Sequence, residues 1–138
     1  MVRHMQLHPY LYFYGRCEEA LEFYKNALSG SYELHRFEGS PMAEHVAPNF
    51  RNKVMHATFN GPGLTFMASD GRESKPIDAE AGNICLSLST SDSAEGERVF
   101  NALAQGGTVS MPLADVFWGG RAGMLTDRFG VEWMISIG

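Results

Sequence analysis

The sequence has few cysteines and no long apolar run. Its two cysteines, Cys17 and Cys85, do not have CxxC spacing, and this favours two reduced thiols over a disulfide. No apolar stretch approaches the roughly 20 residues that a membrane helix needs. The first residues, Met1 to Gln6, contain no apolar signal-peptide core. We therefore expect a cytoplasmic protein that does not enter a membrane.

Positive charge is also scarce. Eleven Lys and Arg residues stand against 16 Asp and Glu residues, which gives a formal net charge of −5. This is the wrong sign for binding a phosphate backbone, so we expect no nucleic-acid partner. With 138 residues, 44% of them hydrophobic, the chain is long enough to bury a core without disulfides or metal ions. A cofactor is therefore not needed for stability.

Hydrophobic periodicity predicts a βαβββ module in the first half of the chain. Residues alternate from Leu7 to Tyr14, which predicts a strand with Leu7, Pro9, Leu11 and Phe13 on its buried face. Apolar residues three and four apart predict an amphipathic helix from Cys17 to Leu28, ended by Gly30. The aperiodic segment from Gly39 to Lys53 is expected to be a mobile excursion that could act as a lid. Three further strands are predicted at Tyr32–Phe37, Val54–Phe59 and Leu64–Ser69.

The same order of elements returns after Gly82. Ile84, Leu86 and Leu88 form the predicted buried face of a strand, and Asp92 is the expected N-cap of a helix that ends before Gly106. Asn26-Ala27-Leu28 in the first helix recurs as Asn101-Ala102-Leu103 in the second. We predict an α+β fold of two βαβββ modules, at about 6–70 and 82–138, joined by a linker at about 71–81.

A cleft is the expected consequence of this architecture. Each sheet would have one face covered by its helix, and the two remaining faces would enclose a space for a ligand. Residues out of phase with the core would line that space. Among them are Tyr10, Tyr12, Met67 and Met134.

Short motifs spread over nearly the whole chain add a family resemblance. They are Pro9-Tyr10-Leu11-x-Phe13, Ala20-Leu21-x-Phe23-Tyr24, Val54-Met55-His56-Ala57, Met111-Pro112-Leu113, Phe117-Trp118-Gly119 and Thr126-Asp127-x-Phe129-Gly130-Val131-x-Trp133-Met134. Their order and spacing resemble the vicinal oxygen chelate superfamily, which contains glyoxalase I, fosfomycin-resistance proteins and extradiol dioxygenases, and within it the PhnB-like subgroup. The resemblance implies a homodimer with paired or exchanged modules, and it implies no particular reaction.

The superfamily's chemistry depends on a divalent metal held by the first and last strands of the modules. The resemblance places these ligand positions at His8 and Asn83, or one residue later at Pro9 and Ile84, and at Met67 and Met134. One imidazole, one amide and two thioethers do not suit zinc, nickel, manganese or iron. We therefore expect no metal cofactor. If a metal is bound after all, the candidate ligands are His8, His56 and Glu132.

The expected ligand is a small, partly apolar molecule. His56 is the candidate catalytic residue, because an imidazole facing a cleft suits proton transfer, although a hydrogen-bonded core histidine is an alternative. Arg121 would pair either with an anionic ligand or with a surface carboxylate. The predicted ligand-binding residues are Tyr10, Tyr12, His56, Met67, Trp118, Arg121 and Met134.

Three functions remain open on this basis. The leading hypothesis is a PhnB-like, metal-independent homodimer that binds such a ligand, with catalysis left undecided. The first alternative is a divalent-metal-dependent lyase, thiol transferase or dioxygenase, and the second is a non-catalytic structural or regulatory homodimer. A methyltransferase is not favoured, because the sequence lacks a Gly-rich βα turn followed by an acidic ribose ligand.

Overall fold

Two four-stranded sheets, each accompanied by one helix, are present in the computed structural model, which describes residues 5–76 and 83–138. The chain divides into two compact units, Met1–Pro76 and Ile77–Gly138. These observations confirm the predicted α+β class and the βαβββ order of each module. Residues 77–81 of the predicted linker lie outside the described residues.

The first unit follows the predicted order closely. Its sheet has the strand order β1-β4-β3-β2, in which β1 and β4 are parallel and the other neighbours are antiparallel. The elements are β1 (Tyr10–Tyr12), α1 (Cys17–Leu28), β2 (Ser31–Arg36), β3 (Val54–Gly61) and β4 (Leu64–Ser69).

Helix α1 covers one face of this sheet. Its buried residues recur three and four apart. Acidic Glu18 and Glu19 lie in its first turn, where their negative charges stabilise the positive end of the helix dipole. Tyr24 is fully buried and its ring contacts Phe13 and Phe66, with centroid separations of 6.0 and 5.7 Å. The core of the first unit therefore lies between α1 and the sheet.

The second unit repeats this topology. Its strand order is β5-β8-β7-β6, again with one parallel pair, β5 with β8, and antiparallel pairs elsewhere. Asp92 is the N-cap of the helix, as predicted, and its carboxylate accepts a hydrogen bond from the Glu95 backbone N–H at 3.1 Å. The elements are β5 (Leu86–Thr90), α2 (Ser93–Ala104), β6 (Thr108–Asp115), β7 (Arg121–Thr126) and β8 (Glu132–Ile137).

Several local expectations are wrong. The first strand is much shorter than Leu7 to Tyr14, and Leu7 is 97% exposed rather than buried. Ile84 is likewise 74% exposed. Helix α1 ends with Ser29 in the left-handed conformation, at φ 55°. Gly30 is required for another reason, since a Cβ there would lie 2.5 Å from the ring of Phe59.

The segment from Gly39 to Lys53 is not an irregular excursion. It contains two short 3₁₀ helices, Pro41–His45 and Pro48–Phe50. Phe50 and Val46 are buried in a small apolar cluster with Phe37, which follows β2. These side chains hold the segment against the first unit. The expectation of a mobile lid neglected them because they have no regular period.

Candidate functional site

Tyr10, Tyr12, His56 and Met67 lie on the face of the first sheet that α1 does not cover. Side chains alternate between the two faces of a strand, so these residues point away from their buried neighbours. His56 precedes Ala57, which is fully buried, and Met67 lies between buried Phe66 and Ala68. We call this surface the open face of the first sheet. It brings together four of the predicted ligand-binding residues.

Tyr10 and His56 form a hydrogen-bonded pair at the centre of this group. The Tyr10 hydroxyl lies 3.0 Å from His56 Nδ1, and the two ring centroids are 5.6 Å apart. Tyr12 packs beside Tyr10 with a centroid separation of 5.2 Å. Met67 is the register partner of Tyr10 across the parallel β1–β4 pair. The Tyr10–His56 pair is therefore flanked by the aromatic ring of Tyr12 and by Met67, whose thioether is polarizable.

Partial burial gives the Tyr10 hydroxyl a raised pKa. Desolvation is the main cause, the neighbouring Tyr12 adds to the increase, and a hydrogen bond with Ser69 works against it. Tyr10 thus keeps its proton at neutral pH and can donate it to Nδ1 of His56. In that arrangement the His56 imidazole carries its own proton on Nε2. No other described residue is hydrogen bonded to this imidazole.

A β-bulge lies directly before His56. Along the antiparallel pair of β2 and β3, His35 lies opposite His56, whereas Arg36 lies opposite Val54, so Met55 is an extra residue in β3. Residues two apart in a regular strand lie on the same face. Because of the extra residue, Val54 is buried although His56, two positions later, lies on the open face. Bulges re-aim side chains in this way and are common beside functional sites. The sequence contains no turn or glycine signal from which this bulge could have been predicted.

The second unit contains the remaining three predicted residues. Met134 lies in the centre of its sheet, opposite Ser87 in β5 and Met124 in β7. Alternation places Met134 and Met124 on the face away from α2, because Gly123, which precedes Met124 in β7, faces Phe100 of that helix. Sequence reasoning missed Met124, although its alternation with Gly123 and Leu125 could have indicated this face.

Trp118 lies in the turn between β6 and β7, and Arg121 is the first residue of β7. Trp118 is 61% exposed, and its ring meets the edge of Phe117 at a centroid separation of 4.9 Å. The Arg121 guanidinium forms an ion pair with Glu97 and a hydrogen bond with Ser93, both on α2. Arg121 therefore has the surface carboxylate partner that was one of its two expected roles.

The residues that the resemblance places at the superfamily's metal positions have side chains that do not suit a divalent metal. His8 is the one imidazole among them, and its Nε2 lies 3.3 Å from the Gln6 side-chain oxygen. The others are Asn83, Met67 and Met134, and thioether sulfur suits soft ions rather than zinc, manganese or iron. Within residues 5–76 and 83–138, no three His, Cys, Asp or Glu residues are grouped as a metal site requires.

Comparison with known proteins decides the family. The model of the 3-demethylubiquinone-9 3-methyltransferase family, to which PhnB proteins are assigned, matches residues 5–136. The chain belongs to this PhnB-like family. It is 32% identical to protein YjdN of Escherichia coli, over 96% of this chain and 95% of the relative. The recognised resemblance to PhnB-like proteins is thereby confirmed.

Solved structures agree with this assignment. Protein PA1353 from Pseudomonas aeruginosa is 41% identical, with a TM-score of 0.82 over 97% of this chain and 98% of that one. A PhnB protein from Bacillus cereus is 26% identical, with a TM-score of 0.79 over 97% and 100%. A glyoxalase/bleomycin resistance protein/dioxygenase domain from Frankia, 17% identical with a TM-score of 0.62 over 99% of both chains, shares the fold. The PhnB-like chain thus has the fold of this glyoxalase/bleomycin resistance protein/dioxygenase domain.

The family is described as a methyltransferase family, but the described residues of this chain do not form the usual adenosylmethionine site. That site needs a Gly-rich turn between a strand and a helix of a doubly wound parallel sheet. In the described parts of this PhnB-like chain, both sheets are mostly antiparallel, and the turn between β1 and α1 contains the single glycine Gly15. None of the described helices is long and apolar enough to cross a membrane.

Proposed function

We propose that this PhnB-like protein binds a small, partly apolar molecule, without a metal ion, on the open face of the first sheet. The observation that carries the proposal is the 3.0 Å hydrogen bond between the Tyr10 hydroxyl and His56 Nδ1. Tyr12 and Met67 flank this pair, and Tyr10 and Tyr12 are 38% and 51% exposed. Binding sites combine an apolar surface with a few oriented polar groups, and this arrangement has both.

The polar group available to the ligand is the Nε2–H of His56. With Tyr10 as the donor to Nδ1, the neutral imidazole carries its proton on Nε2, which can then donate to a carbonyl or hydroxyl oxygen. The same imidazole would accept or supply a proton if the bound molecule reacts, which is the candidate catalytic role of His56. The aromatic and thioether groups beside it would contact the apolar part of the ligand.

The donor set supports the proposal of metal independence. Asn83, Met67 and Met134 occupy positions where the superfamily's metal enzymes need imidazole or carboxylate groups. The test is the metal content of untagged protein, followed by thermal unfolding with added zinc, nickel, manganese or iron(II). We expect substoichiometric metal and no saturable stabilisation. Bound metal near one equivalent, or a stabilisation lost in His56→Ala, would favour the metal-enzyme alternative built on His8, His56 and Glu132.

Ligand binding is tested with acetophenone, which has an aromatic ring and a carbonyl acceptor. Ethylbenzene has nearly the same shape but lacks the acceptor. We expect acetophenone to shift the NMR signals of the His56 ring and the Met67 methyl group in a saturable manner, and more strongly than ethylbenzene. His56→Gln should weaken acetophenone binding by about tenfold, the value of one hydrogen bond to a ligand.

His35→Gln is the matched control for this experiment. His35 lies directly opposite His56 on the neighbouring strand but is not the hydrogen-bond partner of Tyr10. Its replacement should leave the affinity for acetophenone unchanged. Equal binding of acetophenone and ethylbenzene, or equal losses in the two histidine variants, would contradict the proposal. The absence of any saturable shift would instead favour the non-catalytic structural alternative.

A further inference from the structure

A pocket of about 420 Å³ lies within the second unit, where β5 and β8 end and β7 begins. Trp118 and Arg121 line it, together with the hydroxyl-bearing residues Ser89, Ser91 and Ser136. The turn before β7 is held close to this pocket, since a side chain at Gly120 would meet the carbonyl of Ile137 in β8. The exposed Trp118 indole therefore belongs to a turn that packs closely against β8.

Arg121 is the one charged side chain among the described residues that line the pocket. Both of its contacts, with Glu97 and with Ser93, are made by Nη2. Its Nε and Nη1 atoms have no partner in the described part of the chain. The contacts with α2 fix the guanidinium without using all of its donors, so it is oriented in advance for an additional acceptor.

The three serine hydroxyls that line the pocket can also donate hydrogen bonds. Ser89, Ser91 and Ser136 form no side-chain hydrogen bonds with other described residues. Alternation places Ser89 and Ser136 on the face of the sheet away from α2, whereas Arg121 lies on the α2 side. The guanidinium is therefore the group that suits an oxyanion, while the Trp118 ring offers a flat surface for stacking. We propose that this pocket binds an aromatic carboxylate, with its ring on Trp118 and its carboxylate at Arg121. This second site does not rest on the function proposed for the first sheet.

Acidic groups near Arg121 compete with such a ligand. Glu97 holds one of its nitrogens, and Asp115 is its register partner in β6. Asp92, at the start of α2, is occupied by the Glu95 backbone N–H. None of the three lines the pocket. Glu97 therefore acts as an internal competitor, and its removal should strengthen the binding of an anion but weaken the binding of a cation.

The two tryptophans allow a direct measurement. Trp133 is 2% exposed and its indole N–H donates to Asp127, whereas Trp118 is largely exposed, so their indole signals in an NMR spectrum differ in solvent protection. Benzoate is the probe. Cyclohexanecarboxylate keeps the charge without the aromatic ring, and benzamide keeps the ring without the charge. We expect benzoate to shift the Trp118 signal in a saturable manner and to bind more tightly than either control.

Variants then separate the two parts of the site. Arg121→Gln should weaken benzoate binding by about tenfold. Arg98→Gln is the control, because it removes an arginine that pairs with Glu95 within α2, and it should leave benzoate binding unchanged. Trp118→Leu, followed through the signal of bound benzoate, should remove the preference for benzoate over cyclohexanecarboxylate. Glu97→Gln should tighten binding. No saturable shift at millimolar benzoate, equal binding of benzamide, or weaker binding in Glu97→Gln would overturn the proposal.

Discussion

Two buried aspartates organise the ends of the sheets. Asp70, 1% exposed, accepts hydrogen bonds from the backbone N–H groups of Gly15 and Cys17, each at 2.7 Å, and of Val54 at 2.9 Å. It thus joins the start of α1 to the start of β3. Asp127 in the second unit acts more locally, since it accepts from the backbone N–H groups of Phe129 and Val131 and from the Trp133 indole, and so fixes the turn between β7 and β8. A buried donor without an acceptor is costly, which explains carboxylates at these positions.

Replacing Asp70 should therefore destabilise the protein strongly. Asp70→Ala leaves three backbone donors without an acceptor, and we expect a loss of about 4 kcal/mol in the free energy of unfolding, measured with urea. Asp92→Asn is the control, because asparagine caps a helix as well as aspartate does. Its expected change is below about 0.5 kcal/mol. A loss in Asp70→Ala as small as the one expected for the control would contradict the role given to the buried network around Asp70.

Tyr32 should make stability depend on alkaline pH. Its hydroxyl donates to the Glu22 carboxylate, and this hydrogen bond is the main cause that raises the pKa of Tyr32 to about 12. A raised pKa means that the folded state binds the proton more tightly than the unfolded state. The contribution is therefore complete below about pH 10, the ordinary tyrosine value, and is lost as the pH rises through about 12.

The measurement compares wild type with Tyr32→Phe in urea at several pH values. The stability advantage of the wild type should shrink as the pH rises through this range. Other groups with raised pKa values, such as Tyr10 and Cys17, are present in both proteins and cancel in the difference. A difference that stays constant with pH would contradict the role given to the Glu22 contact.

At the scale of elements, α2 packs unusually closely on its sheet. A Cβ at Gly96 would lie 2.5 Å from Cγ1 of Ile137 and 3.1 Å from a methyl group of Thr90. Ile137 is 6% exposed and, like other β-branched residues, has little rotamer freedom, so it cannot swing away. The glycine is required by the distance between helix and sheet rather than by its backbone angles.

Gly96→Ala should consequently destabilise the protein although alanine is the better helix former. The gain of about 1 kcal/mol in helix propensity is outweighed by overpacking of about 1–3 kcal/mol. Asn101→Ala, at an exposed position of the same helix, should instead stabilise by about 0.5 kcal/mol. Urea unfolding of both variants measures the two signs. A stabilised Gly96→Ala variant would mean that the helix can move away from β8.

Periodic elements were predictable and irregular ones were not. Helix α1 was predicted with its observed bounds because six of its apolar residues repeat on one face. The bulge at Met55 and the burial of Phe50 depend on contacts between distant residues, for which a single sequence carries no periodic signal. For the candidate site, alternation predicted which face Tyr10 and Met67 occupy, but the hydrogen bond between Tyr10 and His56 depends on the strand order β1-β4-β3.

The whole molecule is built from one topology used twice. In both sheets the first strand lies beside the last one and parallel to it. Each unit also has a buried aspartate near its last strand: Asp70 follows β4, and Asp127 precedes β8. Each sheet has one face covered by its own helix. The opposite face must be covered by other groups or carry function, and in the first unit it carries exposed Tyr10 and Tyr12.

Apolar groups that a single chain leaves exposed point to a homodimer. Leu7 and Ile84 belong to alternating patterns that predict burial, yet they are 97% and 74% exposed, and Phe117 is 96% exposed. Patterned apolar residues that remain exposed are typical of an association surface. We infer that a second copy of the chain covers Leu7 and Ile84, so that the alternation is satisfied in the dimer although one chain does not satisfy it.

Sedimentation equilibrium at micromolar concentration tests this inference. The expected mass is that of two chains, and the double variant Leu7→Gln with Ile84→Gln should shift the protein toward monomer, because each buried side chain of this size contributes about 1.5–3 kcal/mol. Val109→Gln is the control, since Val109 is exposed on β6 but is not part of either pattern. A monomeric wild type, or a double variant that dimerises as the wild type does, would contradict the inference that a second chain covers these two residues.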